Sequence, residues 1–253
     1  MARIASNHQK ATLSDAAASK IAGLKTNMAT FKKSNGGLAK LTISSKNYSS
    51  WSLRAWLMLK FASVEFEEDK VDVDAPGVRA ELLLLAPSIL VPCLSHNGMK
   101  IWDTLAIGEY LNEIAPKSAL LPTEMVQRAH CRSICGEMHS GFSAMRASLP
   151  MNFKVQMKSF KVWSKAQADI DRIIEIWTDC LEQYQGPFLF GKKPNLADAM
   201  FAPVASRFVT YGVTLPAACE SYKNTIMALP EIKEWHKQAL LEPEEFDELD
   251  MDF

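Results

Sequence analysis

From Leu38 onward the apolar residues switch between two spacings. Leu38-Ala39-Lys40-Leu41-Thr42-Ile43 reads as a short strand, after which Leu53, Trp56, Leu57 and Phe61 recur at i, i+3, i+4 and i+8, one face of a helix. Val64 to Val73 reads as a second strand region with acids interleaved, and 78–85 as a short helix. Val91-Pro92-Cys93-Leu94-Ser95 reads as a strand opened by proline. His96-Asn97-Gly98 supplies turn residues and Met99-Lys100-Ile101-Trp102 a returning strand, so 91–102 is expected to be a hairpin. Leu105, Ile107, Tyr110, Leu111 and Ile114 mark another amphipathic helix, and the order becomes β-α-β-α-β-β-α.

After Pro116 and Pro122 the strand signals stop. Helices are expected over 123–148, over 163–184 with the stripe Ile170, Ile173, Ile174, Trp177 and Leu181, and over about 195–210 and 217–240. The fold class expected is α/β followed by all-α: a domain over 38–114, a Pro-bounded linker at 115–122 and a helical domain over 123–241.

Composition narrows the class. The chain has 253 residues, 48% hydrophobic and 23% charged, which excludes disordered, collagen-like and disulfide-scaffold proteins. No apolar run approaches the roughly 20 residues of a membrane-spanning helix. The formal charge of −1 offers no global attraction to nucleic acid or membrane. That total hides a split. Residues 1–37 carry Arg3, Lys10, Lys20, Lys25, Lys32 and Lys33 against Asp15, whereas 242–253 hold seven acids and no base. We read the basic head as an extension that packs on the body or on nothing, with organelle targeting as the alternative, and expect a cytoplasmic protein. Both ends are expected to stay out of the chemistry.

The cysteines are Cys93, Cys131, Cys135, Cys180 and Cys219: an odd number without a CxxC, so neither a zinc cluster nor a disulfide framework is suggested. Cys131 and Cys135 stand one helical turn apart, and we read them as buried thiols rather than metal ligands.

Three short segments carry candidate chemistry. Ser44 to Arg54 concentrates hydroxyls (Ser44, Ser45, Tyr48, Ser49, Ser50, Ser52) at a helix N-terminus, where free N–H groups and the dipole favour negative charge; simple capping is the alternative. Val91-Pro92 enters a strand, where a cis peptide would turn the Val91 backbone polar groups toward a ligand peptide and an edge-strand proline is the alternative. In Trp102-Asp103-Thr104, Asp103 suits a ligand ammonium while Thr104 and the helix N–H groups suit a carboxylate; again a cap is the alternative.

In this order, on this element pattern, the three segments resemble the cytosolic glutathione transferase family over about 38–240. The likeness is strongest to bacterial serine-type members related to the zeta class, whose Ser-Ser-Cys-Ser-x-Arg motif aligns with Ser49-Ser50-Trp51-Ser52-Leu53-Arg54. Glu137 to Phe142, Leu149 to Asn152, Leu189 to Gly191 and Asn195 to Ala199 match further family stretches, the last being a capping box built on Asn195 and Asp198.

The resemblance implies a thioredoxin-like domain that binds glutathione as co-substrate, an all-helical domain supplying the acceptor pocket, a homodimer, and no metal. Activity would be detoxifying conjugation: a hydroxyl at a positive helix end stabilises the thiolate, lowering a thiol pKa of about 8.5. Ser49 is the implied catalytic hydroxyl, five residues before Arg54, with Ser50 and Tyr48 as runners-up, and the implied glutathione-binding set is Ser50, Val91, Pro92, Asp103 and Thr104. Val91, after which Pro92 follows, would pair with the cysteinyl backbone; Asp103 and Thr104 match the pair that holds the γ-glutamyl end. Tyr48, Trp51, His139 and Phe142 are candidates for the acceptor pocket. Arg207 is expected at the surface or in an ion pair. Two departures stand out: Trp51 replaces the zeta-class cysteine, and Ile89-Leu90 replaces a polar pair before Val-Pro. Alternatives to conjugation are maleyl-type isomerisation, dehalogenation, or a non-catalytic binding module.

Overall fold

A computed structural model describes residues 38–71, 91–157 and 160–243. The helix expected over 78–85, Ile89-Leu90, the basic head and the tail beyond Pro243 lie outside the described residues.

β1 (Ala39–Ile43) buries Ala39, Leu41 and Ile43 and exposes or half-exposes the intervening Lys40 and Thr42, the period-two pattern its sequence carries. It pairs in parallel with β2 (Phe66–Lys70), Ala39 opposite Phe66, and antiparallel with β3 (Cys93–His96), Leu41 opposite Leu94. β4 (Met99–Trp102) closes the expected hairpin, with Asn97 and Gly98 both at positive φ in the turn. The sheet order is β2-β1-β3-β4, so the strand after Pro92 is central rather than an edge.

α1 (Ser50–Phe61) is buried on every side from Ser52 to Leu59, not along one stripe, because it packs both on α2 (Thr104–Ile114) and on α6 (Leu196–Thr210) of the helical half. α6 is the axis of that half: nearly all of it is buried, and it also carries α3 (Met125–Ser140) and α7 (Ala217–Ala228). α5 (Ser164–Tyr184) buries Ile170, Ile173 and Trp177 as its stripe foretells, but continues through Ile176 and Cys180 instead of Ile174 and Leu181.

Two helices expected as single pieces are each divided. The 123–148 segment breaks at Gly141 and at Phe142, whose φ of 58° ends α3 and starts α4 (Ser143–Ser148). The 217–240 segment breaks at Leu229, extended at ψ 136°, because Pro230 bars the helical conformation before it and then opens α8 (Pro230–Ala239) at its first turn.

The capping box forms. Asn195 Oδ1 accepts from Ala197 N–H at 2.8 Å, and Asp198 Oδ2 accepts from Asn195 N–H at 2.9 Å. Asp198 Oδ1 accepts from Leu189 N–H and from the Tyr222 hydroxyl, both at 3.1 Å. Glu242, counted with the acidic tail by its charge, is instead built into the body at 9% exposure.

Candidate active site

The loop from β1 to α1 is organised by serine hydroxyls. Ser49 is the N-cap of α1: its Oγ accepts from Ser52 N–H at 3.3 Å, and its own N–H donates to the Ser45 carbonyl at 3.0 Å. Ser52 Oγ lies 2.8 Å from Ser49 Oγ and accepts from Ser44 N–H at 3.2 Å. Ser49 is the donor of that pair, so Ser52 Oγ accepts from both Ser49 and Ser44; turning the Ser49 hydroxyl away from Ser52 presents its hydrogen to a third group. The first turn of α1 holds no acid, so the positive helix end is not offset locally. Ser52 is thus part of this array, a role its place in the motif did not reveal.

A second cluster ties the two halves together around His139. Asp103, the N-cap of α2 at φ 77°, accepts with Oδ1 from Leu105 N–H at 2.8 Å and Ala106 N–H at 3.2 Å. Its Oδ2 sits 2.9 Å from His139 Nε2, while Thr104 Oγ1 lies 3.3 Å from His139 Nδ1. A proton on Nε2 with Thr104 donating to Nδ1 satisfies both contacts. The imidazole meets Trp51 edge-on, ring centroids 5.2 Å apart. Arg54 and Arg146 bring their guanidinium carbons to 4.4 and 5.3 Å from the Trp51 ring centroid. Trp51, His139, Asp103 and Thr104 therefore form one contiguous group, which Arg146, one helical segment beyond His139, joins over the Trp51 ring.

The site is electropositive from beneath. Arg54 is fully buried, donating through Nε to the Met200 carbonyl at 2.9 Å, and Nη1 has no hydrogen-bond partner. Burial, then the neighbouring Arg207 and Arg146, push its pKa well below the usual arginine range. Arg207 is not at the surface: it is 4% exposed, donates to the Leu149 carbonyl at 2.7 Å, and is pushed down to about 10 by burial and by Arg146. Among the described residues neither buried arginine forms an ion pair. The sequence places Arg207 on a helix but does not show that its side faces the Leu149 carbonyl.

The remaining candidates fall as follows. The Val91–Pro92 peptide is cis, with Val91 half-buried and Pro92 buried. Ser50 is buried in the first turn of α1 and Tyr48 half-buried in the preceding turn. Phe142 packs into the apolar core, away from solvent. Cys131 and Cys135 are buried in the same core, where burial and mutual hydrogen bonding raise the Cys135 pKa well above that of a free thiol. Among the described residues no group of three or more His, Cys, Asp or Glu side chains could hold a metal ion.

Comparison with known proteins adds the lineage. Residues 48–114 match the glutathione S-transferase N-terminal domain and 156–238 the glutathione S-transferase C-terminal domain, together more than half of the chain. A probable maleylacetoacetate isomerase of Caenorhabditis elegans is 29% identical over 171 residues, covering 63% of this chain and 75% of that protein. Glutathione S-transferase 1 of Dianthus caryophyllus is 28% identical over 166 residues, 65% of this chain and 75% of the other. In fold, a glutathione transferase homolog from Burkholderia, crystallised with bound glutathione, superposes with a TM-score of 0.62 at 23% identity over 81% of this chain and 98% of that one. With both domain models matched in order on a four-stranded sheet followed by helices, the chain belongs to the glutathione S-transferase family.

Proposed function

We propose that the protein is a glutathione transferase that activates the glutathione thiol with the Ser49 hydroxyl and directs the sulfur onto a small electrophile. The observation that carries this reading is the N-cap position of Ser49, with Ser52 and Ser44 behind it and an uncompensated helix dipole. Glutathione supplies the nucleophilic sulfur. Ser49 donates to that sulfur and favours its charged form, releasing the thiol proton to solvent. The sulfur lone pair then forms a bond to the electrophilic carbon, and the leaving group departs with the electron pair of the bond it breaks. Asp103 and Thr104 would hold the γ-glutamyl end and Val91 the peptide; the donors and acceptors present suit an ammonium, a carboxylate and a peptide link.

Loss of conjugation of a chloronitrobenzene in Ser49→Ala tests the assignment. We expect a fall of about 10²-fold or more in kcat with little change in glutathione affinity, as for removal of one activating group. Wild-type turnover in that variant would remove Ser49 from the mechanism.

A second reading, glutathione-dependent cis–trans isomerisation of a maleyl-type acid, is favoured by Arg54, Arg146 and Arg207, whose charges suit an anionic substrate. There the sulfur would add to the double bond, rotation would follow about the resulting single bond, and expulsion of the sulfur would regenerate glutathione. Trp51 in place of a cysteine argues against a thiol of the protein taking part. Assaying a maleyl acid beside the chloronitrobenzene separates the two. The reading includes a cytoplasmic homodimer; all five cysteines are free, which suits a reducing compartment. Sedimentation of the full chain and cell fractionation are the corresponding checks.

A further inference from the structure

The Ser44–Ser49 loop is held by a residue from the far end of the chain. Glu242 follows α8, and its carboxylate is buried against the loop. Oε2 accepts from the Ser45 hydroxyl at 2.7 Å and from Asn47 N–H at 3.1 Å; Oε1 accepts from Lys46 N–H at 2.7 Å and lies 3.0 Å from Lys70 Nζ. The Glu242 carbonyl accepts from Lys154 Nζ at 2.6 Å, which fixes the backbone that carries the carboxylate.

The contacts run onward to Ser49. Ser45 gives its hydrogen to Glu242, its Oγ accepts from Asn47 N–H at 3.1 Å and Tyr48 N–H at 3.2 Å, and its carbonyl accepts from Ser49 N–H at 3.0 Å. One residue, Ser45, is therefore bonded to the Glu242 carboxylate through its side chain and to the helix cap through its backbone. The flanks are tied by the same half of the molecule: Trp235 Nε1 donates to the Lys46 carbonyl at 2.7 Å, and Phe153 N–H to Asn47 Oδ1 at 2.6 Å. Lys46, paired with Glu68 and Gln238, lies over the rings of Trp56 and Trp235.

We infer that Glu242 is a positioning residue for the thiol-activating hydroxyl: through Ser45 it sets the conformation of the loop that presents Ser49. A residue that only tied down the C-terminus would need no more than surface pairing. Glu242 instead gathers three consecutive residues of one loop onto a single carboxylate, and that loop is the one that ends at the cap. The inference rests on the Ser49 reading above, and its consequence is directional. Without Glu242 the loop has more conformers, the Ser49 hydroxyl spends less time aimed at the sulfur, and the thiol pKa rises while the γ-glutamyl contacts on α2 are untouched.

The test uses the full chain with Glu242→Ala, Glu242→Asp and Ser45→Ala. Three quantities are read: the pKa of bound glutathione from ultraviolet thiolate absorbance, its Kd by calorimetry, and hydrogen exchange of the amides of 45–53. In Glu242→Ala we expect the bound thiol pKa to rise by about one unit and kcat at neutral pH to fall about tenfold, the share of thiolate lost. Kd should move less than about threefold, since the γ-glutamyl contacts on α2 stay in place. Glu242→Asp, which keeps the charge on a shorter arm, should recover part of both. A folded Glu242→Ala protein with wild-type thiol pKa and kcat overturns the inference. Should that variant fail to fold, Ser45→Ala must shift the thiol pKa in the same direction, and an unshifted value overturns it equally. If the wild-type chain binds no glutathione, the proposed function fails on its own. Exchange still reads the loop: selective acceleration over 45–53 upholds the positioning role, and unchanged exchange ends it.

Discussion

Ser49 stands among several hydroxyls within a few residues, and what separates it from the others is where each oxygen's lone pairs are spent. Ser45 and Ser52 both accept backbone N–H groups, Ser45 hands its hydrogen to Glu242, and Ser52 accepts from Ser49; Ser50 is buried in the helix. A cap is a local arrangement, so the capping roles at Ser49 and Asp103 are legible before any tertiary contact is known, whereas their roles toward glutathione come only from the resemblance. His139 could not. Its hold on Asp103 Oδ2 and Thr104 Oγ1 depends on where α3 comes to lie against α2, and no local pattern encodes that. The consequence can be measured. A γ-glutamyl ammonium reaching Asp103 must replace or share the His139 contact, a half-exposed pair of the kind that contributes about 0.2–1 kcal/mol. His139→Ala should therefore tighten glutathione by up to about fivefold in calorimetry, with no tightening for an analogue that has lost its amino group. A weakened affinity would mean that His139 orients Asp103 for the ligand instead of competing with it.

The elements themselves were read well where one periodicity ran uninterrupted, as in β1, the β3–β4 hairpin, α2 and α5. The misread points are the two helix breaks. Pro230 announces its break in the residue type, but the break at Phe142 needs a left-handed aromatic residue, which only packing against the core can impose. The α6 cap shows how an element's chemistry depends on its surroundings. Burial pushes Asp198 up to about 6 despite the hydrogen bonds from Leu189, Asn195 and Tyr222, which pull the other way. Its folded pKa thus lies above the model-peptide value of 3.8, and the fold favours the protonated form. The contribution is fully present below about pH 4 and is lost as pH rises through about 6. The gap corresponds to roughly 3 kcal/mol. Stability of wild type relative to Asp198→Asn, from urea titrations at several pH values, should therefore improve by about that amount between pH 7 and pH 4. A difference independent of pH would show that the hydrogen bonds balance burial, and one that worsened on acidification that they outweigh it.

At the scale of the whole molecule, the two halves meet along a polar seam rather than a purely apolar one. Arg54 of α1 donates into α6, Phe153 and Trp235 donate into the Ser44–Ser49 loop, and Glu242 closes the seam. The charge split places Glu242 in an acidic tail expected to stay out of the chemistry, because charge counts register sign and not burial; Glu242, the first of those acids, is buried in the body. Burial works to raise its pKa, but donors from Lys46, Ser45, Asn47 and Lys70 together outweigh burial and hold it below 4.5. The sign is opposite to that of Asp198. A depressed folded pKa gives stability that is complete above about 4.5 and is lost as pH falls through the folded value. Acidification from neutrality should then act in two stages, strengthening the helical half as Asp198 is protonated and afterwards loosening the seam as Glu242 is. Trp235 and Trp56, whose rings lie 5.3 Å apart beside the loop, report on the seam, whereas Trp177 is packed among Phe201, Phe208 and Tyr222 of the helical core. We expect the fluorescence of a protein keeping only Trp56 and Trp235 to change below about pH 4.5, before the helical circular dichroism is lost. Glu242→Gln, which cannot titrate, should show no separate early step. A single acid transition shared by both probes and both proteins would mean that the seam has no stability distinct from that of the fold.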